Sequence, residues 1–257
     1  MALRSLVMGE LVQLDIDNGV ATITLDSPHN RNALSKQLVA ELDAAIGDAE
    51  QSGARSIVLR HEGPAFCAGA DLKERSSDGG APDSRPFVHI LERLMDSPLP
   101  TIAAVQGAVR AGGIGLMASC DLVVVHSSVT FALTEVRIGV APAIISVPIL
   151  RRVPPGKIAA AMLTGETFGA HEARAIGLIT HVSDDVAATV HSLCQGISAG
   201  APRAVAETKR MLRHVPTLDR AAAFAEMSAL SEELFRGPDA AEGMAAFREK
   251  RPPVWPS

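Results

Sequence analysis

Three short segments of this sequence combine small residues, turn geometry and a carboxylate: FCAGADL at Phe66–Leu72, RAGGIGLMASCD at Arg110–Asp121 and FALTEVRIG at Phe131–Gly139. The first two share a plan, in which a strand enters a turn of small residues and a helix follows. A helix start leaves backbone N–H groups without internal acceptors. Alanine and glycine there let a ligand approach the backbone closely. Two such turns from separate stretches can aim two N–H groups at one oxygen, which suits a thioester carbonyl becoming an enolate. The third segment supplies Glu135, set between Leu133–Thr134 and Val136. Burial in that apolar setting would raise its pKa towards what proton transfer near neutrality wants. Each segment alone also has a plainer reading: a tight turn, a close helix contact, or a glutamate paired with Arg137.

Other chemistries lack their signatures. Neither GxGxxG nor GxxxxGK[ST] occurs, so dinucleotide and P-loop sites lose their main support. His61, His171 and His181 have no partner spacing, and Ser119 and Cys120 have no adjacent base. Cys67, Cys120 and Cys194 are scattered, without metal-ligand spacing. They fit a reducing compartment, and the chain reads as cytoplasmic. A net charge of −5 with 3% aromatic residues argues against nucleic-acid binding. No apolar run reaches the roughly 18 residues of a membrane span, and MALRSLVMGE at the start is too soon polar for a secretory signal.

The elements that must position these segments follow from pattern. Leu11–Asp15 and Val20–Leu25 alternate as strands around a turn at Asp17–Gly19. Ser35 caps a helix with the stripe Leu38, Leu42, Ala45, Ile46 and Ala49. Arg55–Arg60, Thr101–Val105 and Leu122–Val125 are buried strands, with further strands at Val129–Phe131 and Leu178–Val182. Ser76–Pro86, SSDGGAPDSRP, is a mobile loop. Helices fit Phe87–Met95, Ala143–Leu150, Pro155–Leu163, His171–Ile176 and Val186–Ala199. Beyond Gly200 no strand pattern survives, and three helices are predicted: Pro202–Leu212, Leu218–Phe235 and Pro238–Lys250. Their core is small for an independent unit, so they should dock on the main body or on a partner subunit.

With these residues in view, the chain resembles the enoyl-CoA hydratase/isomerase superfamily, the crotonases. FCAGADLKE matches the first family hallmark, Gly107–Asp121 fits the second as GxxRAGGIGLxxxCD, and the spacing from Asp121 to Glu135 fits the third. The tail DAAEGMAAFREKRPP at Asp239–Pro253 also matches. The resemblance implies an α/β fold: a ββα spiral with two roughly perpendicular sheets over residues 1–200, and a C-terminal all-helical trimerisation region over 201–257. It implies a homotrimer or a dimer of trimers, acting on acyl-CoA thioesters. Coenzyme A would enter as part of the substrate, with no permanently bound cofactor and no metal.

Carried over residue by residue, the resemblance puts the oxyanion N–H donors at Ala68 and Gly112. Arg31, before Asn32 and Ala33, is expected at the coenzyme A phosphate, with Lys250 contributing from a neighbouring subunit. Ala70, Asp71 and Leu72 are expected to line or support the channel, Asp71 as a helix cap. The departure is at Gly115, where related hydratases carry the first of two glutamates; Glu135 matches the second. Hydration of a 2-enoyl-CoA by a single glutamate is the leading expectation. The alternatives are 3,2-enoyl-CoA isomerisation by the same residue, or an acyl-CoA-binding homologue with little turnover. The acyl preference is expected to be shaped by Ser76–Pro86 and by Ala143–Leu150.

Overall fold

The computed structural model describes residues 5–77 and 83–255. The chain opens as an antiparallel meander of β1 (Ser5–Met8), β2 (Val12–Asp17) and β3 (Val20–Leu25). Asn18 and Gly19 both have positive φ and make the tight turn between the last two strands. Alternation sends Val12, Leu14, Ala21, Ile23 and Leu25 inward. The helix α1 (Lys36–Gln51) then covers that face with the predicted stripe, all of it buried, and the Ser35 hydroxyl accepts the Leu38 N–H as its cap.

A repeat of two strands and a helix follows. It runs β4 (Ser56–His61), β5 (Ala65–Cys67) and α2 (Leu72–Ser77), then, after α3 (Arg85–Asp96), β6 (Thr101–Val105), β7 (Ala108–Arg110) and α4 (Gly112–Ala118). The last round is β8 (Leu122–Val125), β9 (Thr130–Ala132) and, after a single 3-10 turn at Glu135–Ile138, α5 (Ala143–Leu150). The closing elements of the body are α6 (Pro155–Thr164), β10 (Phe168–Gly169), α7 (Ala170–Ile176), β11 (His181–Val182) and α8 (Val186–Ser198). In each round the first strand joins one sheet and the second joins another. The large sheet has the order β1-β2-β3-β4-β6-β8-β11, and the small one β10-β9-β7-β5. This is the ββα spiral with a helical tail that the resemblance implied.

Two expectations shift in detail. The loop at Ser76–Pro86 is shortened from both sides, since α2 runs through Ser77 and α3 begins at Arg85; residues 78–82 lie outside the described residues. The strand expected at Leu178–Val182 reduces to His181–Val182. Leu178 and Ile179 are buried, and their N–H groups return to the Ala173 carbonyl at the end of α7.

The tail is three helices, α9 (Pro202–His214), α10 (Arg220–Phe235) and α11 (Pro238–Glu249). The first is locked onto the body by charge. Lys209 is only 6% exposed; its ammonium donates to the carbonyls of Leu94 and Leu99 and pairs with Asp121 at 2.9 Å. Arg213 reaches the other oxygen of Asp121 at 2.8 Å. Arg152 closes the same corner by donating to the carbonyls of Ala118, Cys120 and Asp121, where α4 ends. The chain end returns to the body as well: the Trp255 indole N–H donates to the Ala199 carbonyl at 2.8 Å. The outer two helices leave Phe224, Phe235 and Phe247 exposed.

Candidate functional site

The small sheet sets the site. β5, β7 and β9 are neighbours and run parallel. Their C-terminal ends therefore share one edge. Ala70 lies three residues beyond β5, Gly112 two beyond β7 and Glu135 three beyond β9. Three segments far apart in sequence deliver two small-residue turns and one carboxylate to the same place.

The first turn departs from expectation in one residue. The Ala68 N–H is already used, donating to the Arg31 carbonyl at 3.0 Å. Ala68 is therefore corrected from oxyanion donor to anchor of the Ser27–Ala33 loop. Two residues on, the partly exposed Ala70 N–H has no acceptor among the described residues. Neither does the N–H of Gly112, the first residue of α4. The two turns touch. A β-carbon built on Gly69 would lie 3.3 Å from the Gly112 nitrogen and 2.9 Å from the Ala111 β-carbon. One built on Gly112 would lie 3.8 Å from the Ala70 nitrogen. Gly69 has φ +90°, so both its conformation and its neighbours require glycine.

Ala111 carries the strain of this junction. Its φ of 46° and ψ of −119° are unfavourable for a residue with a β-carbon. Such a conformation costs about 1–3 kcal/mol and persists only where its surroundings hold it. The hold here is the Ala111 N–H, which donates to the Ala132 carbonyl at the end of β9 at 3.1 Å.

Glu135 begins the 3-10 turn after β9. Its Oε2 is shielded from solvent and has no hydrogen-bond partner in the described structure. Burial pushes its pKa above the ordinary carboxylate value, with its own backbone N–H giving a smaller opposing effect. The pairing with Arg137 does not form: that guanidinium donates to the Thr164 carbonyl instead. Glu135 is thus a carboxyl with no cation to hold it ionised.

Gly115, one helical turn after Gly112, is covered. A β-carbon there would lie 2.6 Å from Cβ and 3.3 Å from Cα of Ile145 in α5. Real β-carbons do not come that close, so α4 and α5 pack through a contact that only glycine allows. The expectation that Gly115 meets the substrate is corrected accordingly, because Ile145 occupies the space above it.

The remaining expected residues divide. Asp71 caps α2 by accepting the N–H groups of Lys73 and Glu74. Leu72 is exposed beside it, and Ala33 is buried beneath the loop. Arg31 is exposed, has φ +59°, and its guanidinium makes no bond to a described residue. Lys250 ends α11 with φ +56°, and its ammonium pairs with no described residue. Asn32 was missed. It is fully buried, donates to the carbonyls of Glu62 and Ala65, and accepts the Ser27 N–H. It thereby staples the Arg31 loop to the strands that precede Ala68. Its amide in the middle of HNRNAL was the available signal. No cluster of three metal-ligating side chains occurs among the described residues, and none of their helices is long and apolar enough to cross a membrane.

Residues 15–257 match the family model described as enoyl-CoA hydratase/isomerase. The enoyl-CoA hydratase domain-containing protein 3, mitochondrial, of Danio rerio is 32% identical over 269 residues, covering 99% of this chain and 92% of the relative. The methylglutaconyl-CoA hydratase, mitochondrial, of Mus musculus is 31% identical, covering 92% of this chain and 79% of the relative. The crystal structure of an enoyl-CoA hydratase from Mycobacterium smegmatis superposes with a TM-score of 0.88 at 30% identity, over 96% of this chain and 99% of the other.

Proposed function

The chain belongs to the enoyl-CoA hydratase/isomerase family, and from that premise we propose that it adds water to a 2-enoyl-CoA thioester with Glu135 as the only acid–base side chain. The observation that carries this reading is the Glu135 carboxyl. Its Oε2 is shielded and without a partner in the described structure, and burial raises its pKa, beyond the same sheet edge as two free N–H groups. In the ground state the thioester oxygen would accept from the N–H groups of Ala70 and Gly112. Water held by Glu135 would attack C3 while its proton passes to the carboxylate. The C2–C3 π electrons would move onto the thioester as an enolate, held by the same two donors. The protonated Glu135 would then return a proton to C2, giving a 3-hydroxyacyl-CoA and restoring the carboxylate. Arg31 is the free cation of the loop beside Ala68 and suits the coenzyme A phosphates. Lys250 would join it from a second subunit, in a homotrimer or dimer of trimers.

One observation favours a second reading. Ile145 leaves no room over Gly115 for a second carboxylate or for water held by one. A dry site with one carboxylate suits proton transfer from C2 to C4, which moves the double bond of a 3-enoyl-CoA from C3–C4 to C2–C3. A product assay on trans-2-enoyl-CoA and 3-enoyl-CoA separates the two by resolving 3-hydroxyacyl-CoA from a shifted double bond. Under either reading Glu135→Gln should lower turnover by about 10²–10⁴-fold with acyl-CoA affinity little changed. Robust turnover by the variant would mean that another residue transfers the proton; little turnover by both proteins, with binding intact, would reduce the chain to an acyl-CoA-binding homologue.

A further inference from the structure

Ile144 and Val147, beside Ile145 in α5, border a large space. A cavity of about 970 Å³ lies among α3, the end of α4, α5 and α9. Its wall is mainly apolar, including Val88, Leu91, Met95, Ala118, Ile144 and Val147. Ala118 sits six residues along α4 from Gly112, about 9 Å at the helical rise. A chain held by its thioester at Gly112 and extending along α4 must pass Gly115 before it reaches that cavity. At Gly115 it meets Ile145, which is 4% exposed. Ile145 is held firmly there. The Ser146 hydroxyl donates back to the Ala143 carbonyl. Pro148 lies inside the same helix, where its ring removes a backbone donor and fixes the local bend.

We infer that Ile145 is a specificity-determining residue: it stands as the wall between the thioester end of α4 and the cavity at its far end, so that wild type takes short acyl chains and leaves the cavity empty of substrate. This rests on the reading of the chain as an enzyme of enoyl-CoA thioesters and adds the acyl class to it. The neighbours of Ile145 fit the role. Gly115 supplies no side chain to compete with it, and Ile144 and Val147, on either side of it in α5, face the cavity. The chain therefore has, beside Ile145, a partly open and mainly apolar cleft that also carries charged side chains and could take the apolar part of a longer acyl tail.

The test is kcat/KM for crotonyl-CoA and for trans-2-decenoyl-CoA in wild type, Ile145→Ala, Ile145→Val and Val147→Ala. Wild type should prefer crotonyl-CoA. Ile145→Ala should raise the decenoyl-to-crotonyl ratio by about tenfold or more, since single methylenes in apolar pockets discriminate on that scale. Ile145→Val, which removes one methyl group, should fall between. Val147→Ala trims the cavity side without opening the wall and should leave the ratio near that of wild type. A general loosening of α5 would lower both substrates together and leave the ratio unmoved. An unchanged ratio in folded Ile145→Ala, or a wild type that already prefers decenoyl-CoA, would overturn the inference. Absence of turnover on both thioesters by wild type would instead remove the functional reading on which it rests.

Discussion

Glu135 is held in the fold at a thermodynamic cost. Its raised pKa means that the folded state prefers the protonated acid more strongly than the unfolded chain does. The stability it allows is fully present below its unfolded pKa and is lost as pH rises through the folded one. At neutral pH, Glu135→Gln should therefore be more stable than wild type while being nearly inactive, the trade expected where an active site stores an unfavourable charge. Melting both proteins from pH 4 to pH 8 gives the check: the difference in Tm should open with rising pH, and a constant difference would mean that the charge is not what is costly. At this scale the sequence was informative about residue types and less so about partners. Glu135 and Gly112 entered through the family resemblance, as residue types at matching positions. The choice between the N–H groups of Ala68 and Ala70 was not legible, because the Arg31 carbonyl that takes the first comes from a loop 37 positions earlier in the chain.

Among the elements, α4 is held at both ends by unlike means. Its start is a strained peptide at Ala111, and its end is gripped by Arg152, Lys209 and Arg213 around Asp121. The ammonium of Lys209 is buried, and desolvation lowers its pKa against the pull of Asp121. Removing the carboxylate as Asp121→Asn leaves that charge without its counter-ion, and breaking such pairs costs about 3–5 kcal/mol. Thermal or urea unfolding should show a loss of that order. The double variant Asp121→Asn/Lys209→Met, which removes both charges, should recover much of it. The helices α1 and α5 to α11 and the strands β2, β3, β4, β6 and β8 were readable from periodicity and caps, while β1 was not read and β11 was read too long. In the small sheet only β9 was met, by the strand expected at Val129–Phe131; β5, β7 and β10, with two or three residues each, are too short for alternation to register. The contact of Ile145 with Gly115 was equally hidden, since it joins helices with no periodic relation to one another.

For the whole molecule, the exposed faces of α10 and α11 are the unfinished part. Phe224, Phe235 and Phe247 are each more than two-thirds exposed, at 70%, 69% and 85%. Burying a phenylalanine contributes about 1.5–3 kcal/mol, and a closed ring of copies would bury several at once. Light scattering should give a trimer or a multiple of it at micromolar concentration, and Phe224→Asp/Phe247→Asp should shift the mass towards the monomer. A monomeric wild type would leave the helical tail without its assigned role. The composition shift at Gly200 marked this region in the sequence. The pattern did not reveal that α9 is sealed to the body through Lys209 and Arg213 while the outer helices are not.

The indole of Trp255, bonded across to Ala199, has a spectroscopic consequence. The chain holds one Trp and no Tyr, so its intrinsic tryptophan emission belongs to a single side chain at the seam between tail and body. Circular dichroism, by contrast, averages over every helix. Recording both on one denaturant titration therefore asks whether that seam parts alone or with the rest. Superimposed curves would describe one cooperative unit. A red shift that precedes the loss of ellipticity would describe a tail that lets go first, with the molecule reporting on its own undocking without any label.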